Sequence, residues 1–200
     1  MERLTEGLRL INQLWESAEP FRFEGKYFSS DFYFLYTKPS RKIPVYCSAI
    51  GRKAAHEAGV CADGLISIGP RNNVQRLRDT ILPAYEEGRR LANKKGLGKV
   101  VVEVIFSFAE PSELIKSAWR MLGICRKDSW SIPNPVAAEE EGRNVTVEEL
   151  RRHMYFCKNW KDLVKIVEAY QEVGVNHVTT YTGCDKKMIR AFAKNVHDVF

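Results

Sequence analysis

The stretch from Ile43 to Gly69 restricts the possible folds more than any other part of this chain. It reads IPVYCSAIGRKAAHEAGVCADGLISIG, and its hydrophobic period changes twice. Ile43, Val45 and Cys47 alternate with Pro44, Tyr46 and Ser48, the two-residue repeat of a strand, until Ala49-Ile50-Gly51 ends it. Past Gly51 the apolar residues Ala54, Ala55, Ala58 and Val60 fall at helical spacing among Arg52, Lys53, His56 and Glu57, and Gly59 thins the helix end. A second apolar run, Leu65 to Ile68, follows Asp63-Gly64 and stops at Gly69-Pro70. Strand, short helix and strand in this order predict a βαβ unit with parallel strands and a right-handed crossover. Small residues at Ser48, Ala49 and Gly51 let a ligand approach backbone N–H groups, and those opening the next helix lack internal partners and favour an anion. Arg52 and Lys53 add positive charge there. Close packing of helix on strand demands the same small residues, so the residues alone leave both a packing turn and a phosphate site open.

The remaining chain extends the pattern. Leu4, Leu8, Ile11, Leu14 and Trp15 predict an amphipathic helix over Met1–Trp15. Pro20 to Pro39, rich in rings and turning at Glu24-Gly25-Lys26, predicts a β-excursion. A long helix is expected over Arg71–Lys95, bent at Pro83 and closed by Gly96-Leu97-Gly98. Lys99 to Ala109 is nearly continuous in apolar character, as in a strand buried on both faces. A helix over Ser112–Leu122 and a proline-bearing linker containing Glu139-Glu140-Glu141 come next. Helices over Thr146–Cys157 and Trp160–Val173, a strand over His177–Thr182 and a helix over Asp185–Phe200 complete the reading. Strands near positions 45, 65, 103 and 179, each followed by helix, make four consecutive βα units.

Two hundred residues with 44% apolar content suffice for one good core. The net charge of +6 is spread along helices with interleaved Glu, as in Tyr85-Glu86-Glu87-Gly88-Arg89-Arg90, which describes solvated helix faces and not a nucleic-acid stripe. Neither a membrane-spanning run nor a signal-peptide core is present, so a cytoplasmic protein is expected. The five cysteines, at 47, 61, 125, 157 and 184, are odd in number and form no CxxC, which predicts free thiols and no zinc site. No His, Cys or Ser shows a nucleophile–base spacing.

The words PVYCSAIGRKAAHEAGVCADGLI, preceded by LRLINQLWESAEPFRFEGKYF, resemble the C-terminal half of the bacterial luciferase-like superfamily. Its members are flavin monooxygenases and deazaflavin (coenzyme F420)-dependent reductases and dehydrogenases. Within it the chain resembles the F420-dependent glucose-6-phosphate dehydrogenase group and its archaeal relatives over nearly its whole length, most strongly from Arg3 to Gly69. The resemblance implies an α/β fold that is the C-terminal half, about four βα units, of a (β/α)₈ TIM barrel, with the first helix as the fourth of the barrel and an insertion after the third strand present. The N-terminal half would be absent. Pairing with that half, or a homodimer, would then cover the two open sheet edges. The rings of Phe21, Phe23, Tyr27 and Phe28 would cover a barrel end.

It further implies that coenzyme F420, or alternatively FMN, places its phosphate at Ser48, Ala49, Ile50, Gly51, Lys53 and Ala54, where Ile50 replaces the first of two family glycines. Family positions for a substrate phosphate hold Ile68, Arg71, Ser129 and His153 here. Of these only Arg71 keeps a cation, with Arg126 and Lys127 near the Ser129 position. On that count glucose 6-phosphate is expected to be a poor substrate, with Arg71 still facing the substrate of an F420-dependent hydride transfer. The family's proton donor and acceptor, a His and a Glu, come from the first half of the barrel, so no catalytic residue is assigned and the chain alone is expected to be inactive. An FMN-dependent monooxygenase and a shortened, non-catalytic flavin-binding or interaction protein are the alternatives.

Overall fold

A single carboxylate ties the first helix, α1 (Glu2–Glu16), to the hairpin after it, β1 (Phe21–Glu24) and β2 (Ser29–Tyr33). Glu6 Oε1 accepts the N–H groups of Tyr27 and Phe28 at 2.8 and 2.7 Å, and Oε2 accepts that of Lys26 at 3.0 Å. Gly25 leaves room for this carboxylate, because a Cβ there would lie 2.2 Å from Glu6 Oε1 and 2.9 Å from the Phe28 carbonyl oxygen. Burial pushes the Glu6 carboxyl up, but the three N–H donors outweigh it and hold its pKa below the ordinary value. A depressed carboxylate contributes stability above its unfolded pKa and loses it as pH falls through the folded one. Glu6→Ala is therefore expected to reduce amide-exchange protection at Lys26, Tyr27 and Phe28 to open-chain levels at neutral pH. Unchanged protection at these amides would show that the hairpin needs no such anchor.

The computed structural model describes residues 2–126, 129–180 and 185–196. After the hairpin come β3 (Tyr46–Ser48), α2 (Arg52–Cys61), β4 (Gly64–Gly69), the short α3 (Val74–Arg76), a π-helical turn (Leu77–Ile81), α4 (Leu82–Leu91), β5 (Lys99–Val104) and β6 (Phe106–Ser107). Then follow α5 (Pro111–Ala118), 3₁₀ segments at Trp119–Cys125 and Ser129–Ser131, α6 (Pro135–Gly142), α7 (Val147–Arg151), β7 (Tyr155–Phe156), α8 (Trp160–Glu172), β8 (His177–Thr180) and α9 (Lys186–Asn195). The main sheet has the order β3-β4-β5-β8. Tyr46 stands opposite Gly64 and Val101 opposite His177, both in parallel pairs. This is an α/β fold built on a parallel sheet. The chain divides into two units, one running to Ile66 and including Arg78–Val100, the other comprising Ser67–Leu77 and the chain from Val101 onward.

In the first unit α2 and α4 pack face to face. Small residues permit it: Ala55, Ala58 and Gly59 on α2, and Ala84 and Gly88 on α4, are all buried. A Cβ at Gly59 would lie 2.2 Å from the Tyr85 carbonyl oxygen, and one at Gly88 2.0 Å from that of His56. Gly59 is thus a contact surface, where the sequence suggested only a weak helix end. In the second unit Leu122, Cys125, Val145 and Leu150 form a buried cluster beneath Leu114, Ile115, Met154 and Phe156.

Several elements are shorter than the sequence periodicity predicts. The first strand of the βαβ unit starts at Tyr46 and not Ile43, because Pro44 has no N–H and the Val45 N–H is taken by Asp63 Oδ2 at 2.9 Å. The helix expected over Arg71–Lys95 is capped only at Asn73, whose side chain accepts the Arg76 N–H at 2.9 Å, and it widens into the π turn ahead of Pro83. Proline can neither donate to the residue four back nor fit under its carbonyl, and a π turn absorbs both problems. The strand expected over Lys99–Ala109 breaks at Ile105, after which β6 pairs with β7 in a separate two-stranded sheet. Only one face of β5 is fully covered: Val100, Val102 and Val104 are buried, whereas Val101 and Glu103 are half-buried. The proline-bearing linker is helical at α6, started by Asn134, which accepts the Ala137 N–H. The helix expected over Thr146–Cys157 ends at Arg151, and its last residues become β7. Cys184, residues 181 and 182 of the strand expected over His177–Thr182, and residues 197–200 of the expected last helix lie outside the described residues.

Candidate functional site

The turn after β3 has the features of an anion cradle. Ala49, almost fully buried, donates its N–H to the Ile66 carbonyl at 2.9 Å and so ties the turn to β4. Gly51 is the N-cap of α2 at φ −141° and ψ 160°, and its carbonyl accepts the Ala55 N–H at 2.9 Å. This backbone conformation needs no glycine. What glycine provides is room, since a Cβ there would meet nothing within 4 Å. The N–H groups of Arg52, Lys53 and Ala54 open the helix with no side-chain cap and no acidic residue in the first turn. Unpaired donors at the positive end of a helix dipole attract negative charge. Ser48 and Lys53 are exposed at this turn, while Ile50 and Ala54 are half-buried.

A second site lies wholly within the other unit. Arg71, Ser129 and His153 line one pocket of about 390 Å³. Ile68 does not line it; it is a half-buried residue within β4. Arg126, expected near the Ser129 position, lines the pocket too, and the sequence reading missed Arg76, Arg151 and Arg152, which also line it. The four-position count that disfavours glucose 6-phosphate leaves these arginines out. Two of them are engaged by carboxylates. Arg126 binds Glu149 through Nη1 at 3.0 Å and Glu141 through Nε at 3.1 Å, and Glu149 is itself held by a capping box with Thr146. Arg152 pairs with Glu148. Arg151 lies over the Phe156 ring, 5.6 Å from its centroid. Arg71 makes no ion pair among the described residues. Lys127 lies outside the described residues.

Burial, then the Arg71 charge, holds the His153 imidazole below its ordinary pKa, so the neutral form dominates at pH 7 and the pocket's positive charge comes from arginine. Cys125 also lines the pocket, but burial pushes its thiol up to about 11, which leaves it protonated and a poor nucleophile. The arrangement therefore has the charge to bind and orient an anion and offers it no thiolate. Arg151 and Arg152 could have been found from the run Arg151-Arg152-His153 had the helix been ended there. Within a continuous helix adjacent side chains diverge, and only the stop at Arg151 turns the run into a pocket wall. His56 lies 3.5 Å from Glu57, and His177 is an exposed residue at the start of β8.

Comparison with known proteins shows what the chain is similar to. An F420-dependent glucose-6-phosphate dehydrogenase of Segniliparus rotundus is 28% identical over 88% of this chain and 53% of its own length. The structure of an F420-dependent secondary alcohol dehydrogenase in complex with an F420–acetone adduct is 26% identical, with a TM-score of 0.81 over 98% of this chain and 61% of that one. The coenzyme F420-dependent tetrahydromethanopterin reductase from Methanopyrus kandleri shares the fold at 18% identity and a TM-score of 0.71, over 98% of this chain and 63% of that one. The chain spans about half the length of the curated relatives it matches. Residues 1–177 match the family model of the luciferase-like monooxygenases, and the chain belongs to that family.

Proposed function

We propose that the chain is part of an F420-dependent oxidoreductase that moves a hydride between the deazaflavin and an organic substrate bearing an anionic or polar group. The observation that carries this reading is the open start of α2, where uncapped N–H groups and free space over Gly51 suit a cofactor phosphate. The names of the relatives, two of which couple F420 to a dehydrogenase, support it. F420 would supply the hydride chemistry, and this chain's residues would bind, orient and exclude water. Ser48, Ala49, Ile50, Gly51, Lys53 and Ala54 would hold the phosphate. Arg71, with Ser129 and His153, would meet the substrate's polar group, and the groups that move protons would come from outside this chain.

The four strands of the main sheet, followed in turn by α2, α4, α5 and α9, are read as half of a (β/α)₈ barrel, with the chain between β5 and α8 as the insertion after its third strand. The edge strands β3 and β8 would then be where a second copy or the other half joins.

Gly51→Val is expected to weaken F420 binding about tenfold or more, because its branched side chain fills the space an anion would take, while the melting temperature stays within a degree or two. Fluorescence titration with F420, set against FMN, checks both points. Unchanged F420 affinity in the variant, or binding of FMN alone, would remove the support for this site.

A further inference from the structure

A chain of buried polar groups in the second unit has no part in the roles above. Helix α8 turns Leu163, Val167 and Tyr170 toward the core, and phenylalanine at the last position would pack as well as tyrosine. Instead a hydroxyl is buried at 0% exposure. Tyr170 Oη donates to the Asn72 carbonyl at 3.1 Å, so its bond to Tyr155 Oη, at 2.7 Å, uses the Tyr155 proton. Asn72, also fully buried, donates Nδ2 to Ser67 Oγ at 2.6 Å and its backbone N–H to the Ile68 carbonyl at 2.8 Å. Space for the Tyr170 hydroxyl is provided by Gly69, where a Cβ would lie 2.2 Å from it. Buried hydroxyls and amides are tolerated only when paired, and paired networks fix a unique geometry.

The position of this network gives it a purpose. Asn72 lies between Arg71 and Asn73, which both line the arginine pocket, and Tyr155 follows two residues after His153, which lines it too. Tyr155 is anchored in turn by its own N–H to the Ile105 carbonyl at 2.8 Å. We propose that Tyr170 and Tyr155 are positioning residues, whose hydroxyl chain locks the loop carrying Arg71 to the segment carrying His153 and so sets the spacing of the pocket's anion-binding groups. The proposal rests on the reading of this pocket as a ligand site. Charge-assisted hydrogen bonds need their donors held to within a fraction of an ångström, which a surface loop alone does not provide.

Tyr170→Phe removes one oxygen and keeps the ring. Titration of the protein with inorganic phosphate is expected to show a Kd raised about three- to tenfold, the worth of one hydrogen bond. Tyr155→Phe is expected to give a smaller rise, of about twofold or more, and the double variant no more than Tyr170→Phe alone, since both break one chain. A purely structural role would lower stability without touching these affinities or their non-additivity. Amide exchange separates the two further: protection at Arg71–Arg76 should fall while that at Leu163 and Val167 holds. Phosphate binding by the wild type with equal affinity in Tyr170→Phe overturns the positioning role alone. Absence of phosphate binding by the wild type overturns the pocket reading and the positioning role with it. If Tyr170→Phe does not fold, Tyr155→Phe decides, and wild-type affinity there overturns the proposal.

Discussion

Gly88→Ala is expected to lower the stability of the protein by about 3 kcal/mol, near the upper end of the cost of overpacking a core. The expected gain runs the other way, since alanine in a helix interior is favoured over glycine by about 1 kcal/mol. The clash wins because the new methyl group would lie 2.0 Å from the His56 carbonyl oxygen, an atom of helix α2 that no rotamer change can move. Only separation of α2 from α4 relieves it, which opens gaps around Ala55, Ala58 and Ala84, all buried. Gly59→Ala meets the Tyr85 carbonyl oxygen at 2.2 Å and should cost a similar amount, and the double variant less than the sum, because one separation relieves both contacts. Urea midpoints measure this directly. Gly51→Ala, with nothing near its Cβ, is the internal control and should stay within about 0.5 kcal/mol. Midpoints for Gly88→Ala and Gly51→Ala that coincide would mean that the helices do not pack this closely.

Arg71→Ala is expected to reduce kcat/KM for an anionic substrate by roughly 10- to 100-fold, the value of one charge-assisted hydrogen bond of about 1.5–3 kcal/mol. The size follows from what surrounds Arg71. Its neighbours Arg126 and Arg152 already face carboxylates, Arg151 lies over the Phe156 ring and His153 is kept neutral, so these four replace the lost charge only in part. Arg71→Lys should recover part of the loss, since it keeps the charge but not the planar fork. Arg152→Ala is the contrast: its guanidinium is exposed and paired with an exposed glutamate, and its removal should change the rate less than threefold. Steady-state assays on the assembled enzyme decide the matter. Equal losses for Arg71→Ala and Arg152→Ala would show that the pocket acts only as a diffuse positive field.

Local chemistry made much of the fold legible in the sequence. The βαβ unit around Gly51 was readable because strand and helix periods differ and because small residues mark the turn between them. The helix starts expected at Trp160 and Asp185 agree with the structure, where the Asn159 and Asp185 side chains accept backbone N–H groups of the next turn. Where an element ends depends on competing partners that periodicity does not report. Val45 loses its strand bond to Asp63, a residue 18 positions away, and Ile105 leaves its strand to pair with the chain at Tyr155.

The candidate site divides along the same line. Ser48 to Ala54 are contiguous, so the sequence by itself marked the turn, whose donors are consecutive amides of one helix start, while leaving close packing as an equal reason for its small residues. Arg71, Ser129 and His153 came from the family resemblance and not from spacing in the chain. The rest of the pocket wall was decided by tertiary structure, because Arg76 and Arg151 are distant in sequence and line one pocket only when the 3₁₀ segment ends at Cys125 and α7 stops at Arg151. The same holds for the hydroxyl chain of Tyr155 and Tyr170, which reads as ordinary aromatic core in one dimension. A hydrogen bond spanning 98 residues, from Tyr170 to the Asn72 carbonyl, leaves no periodic or local trace in the chain that makes it.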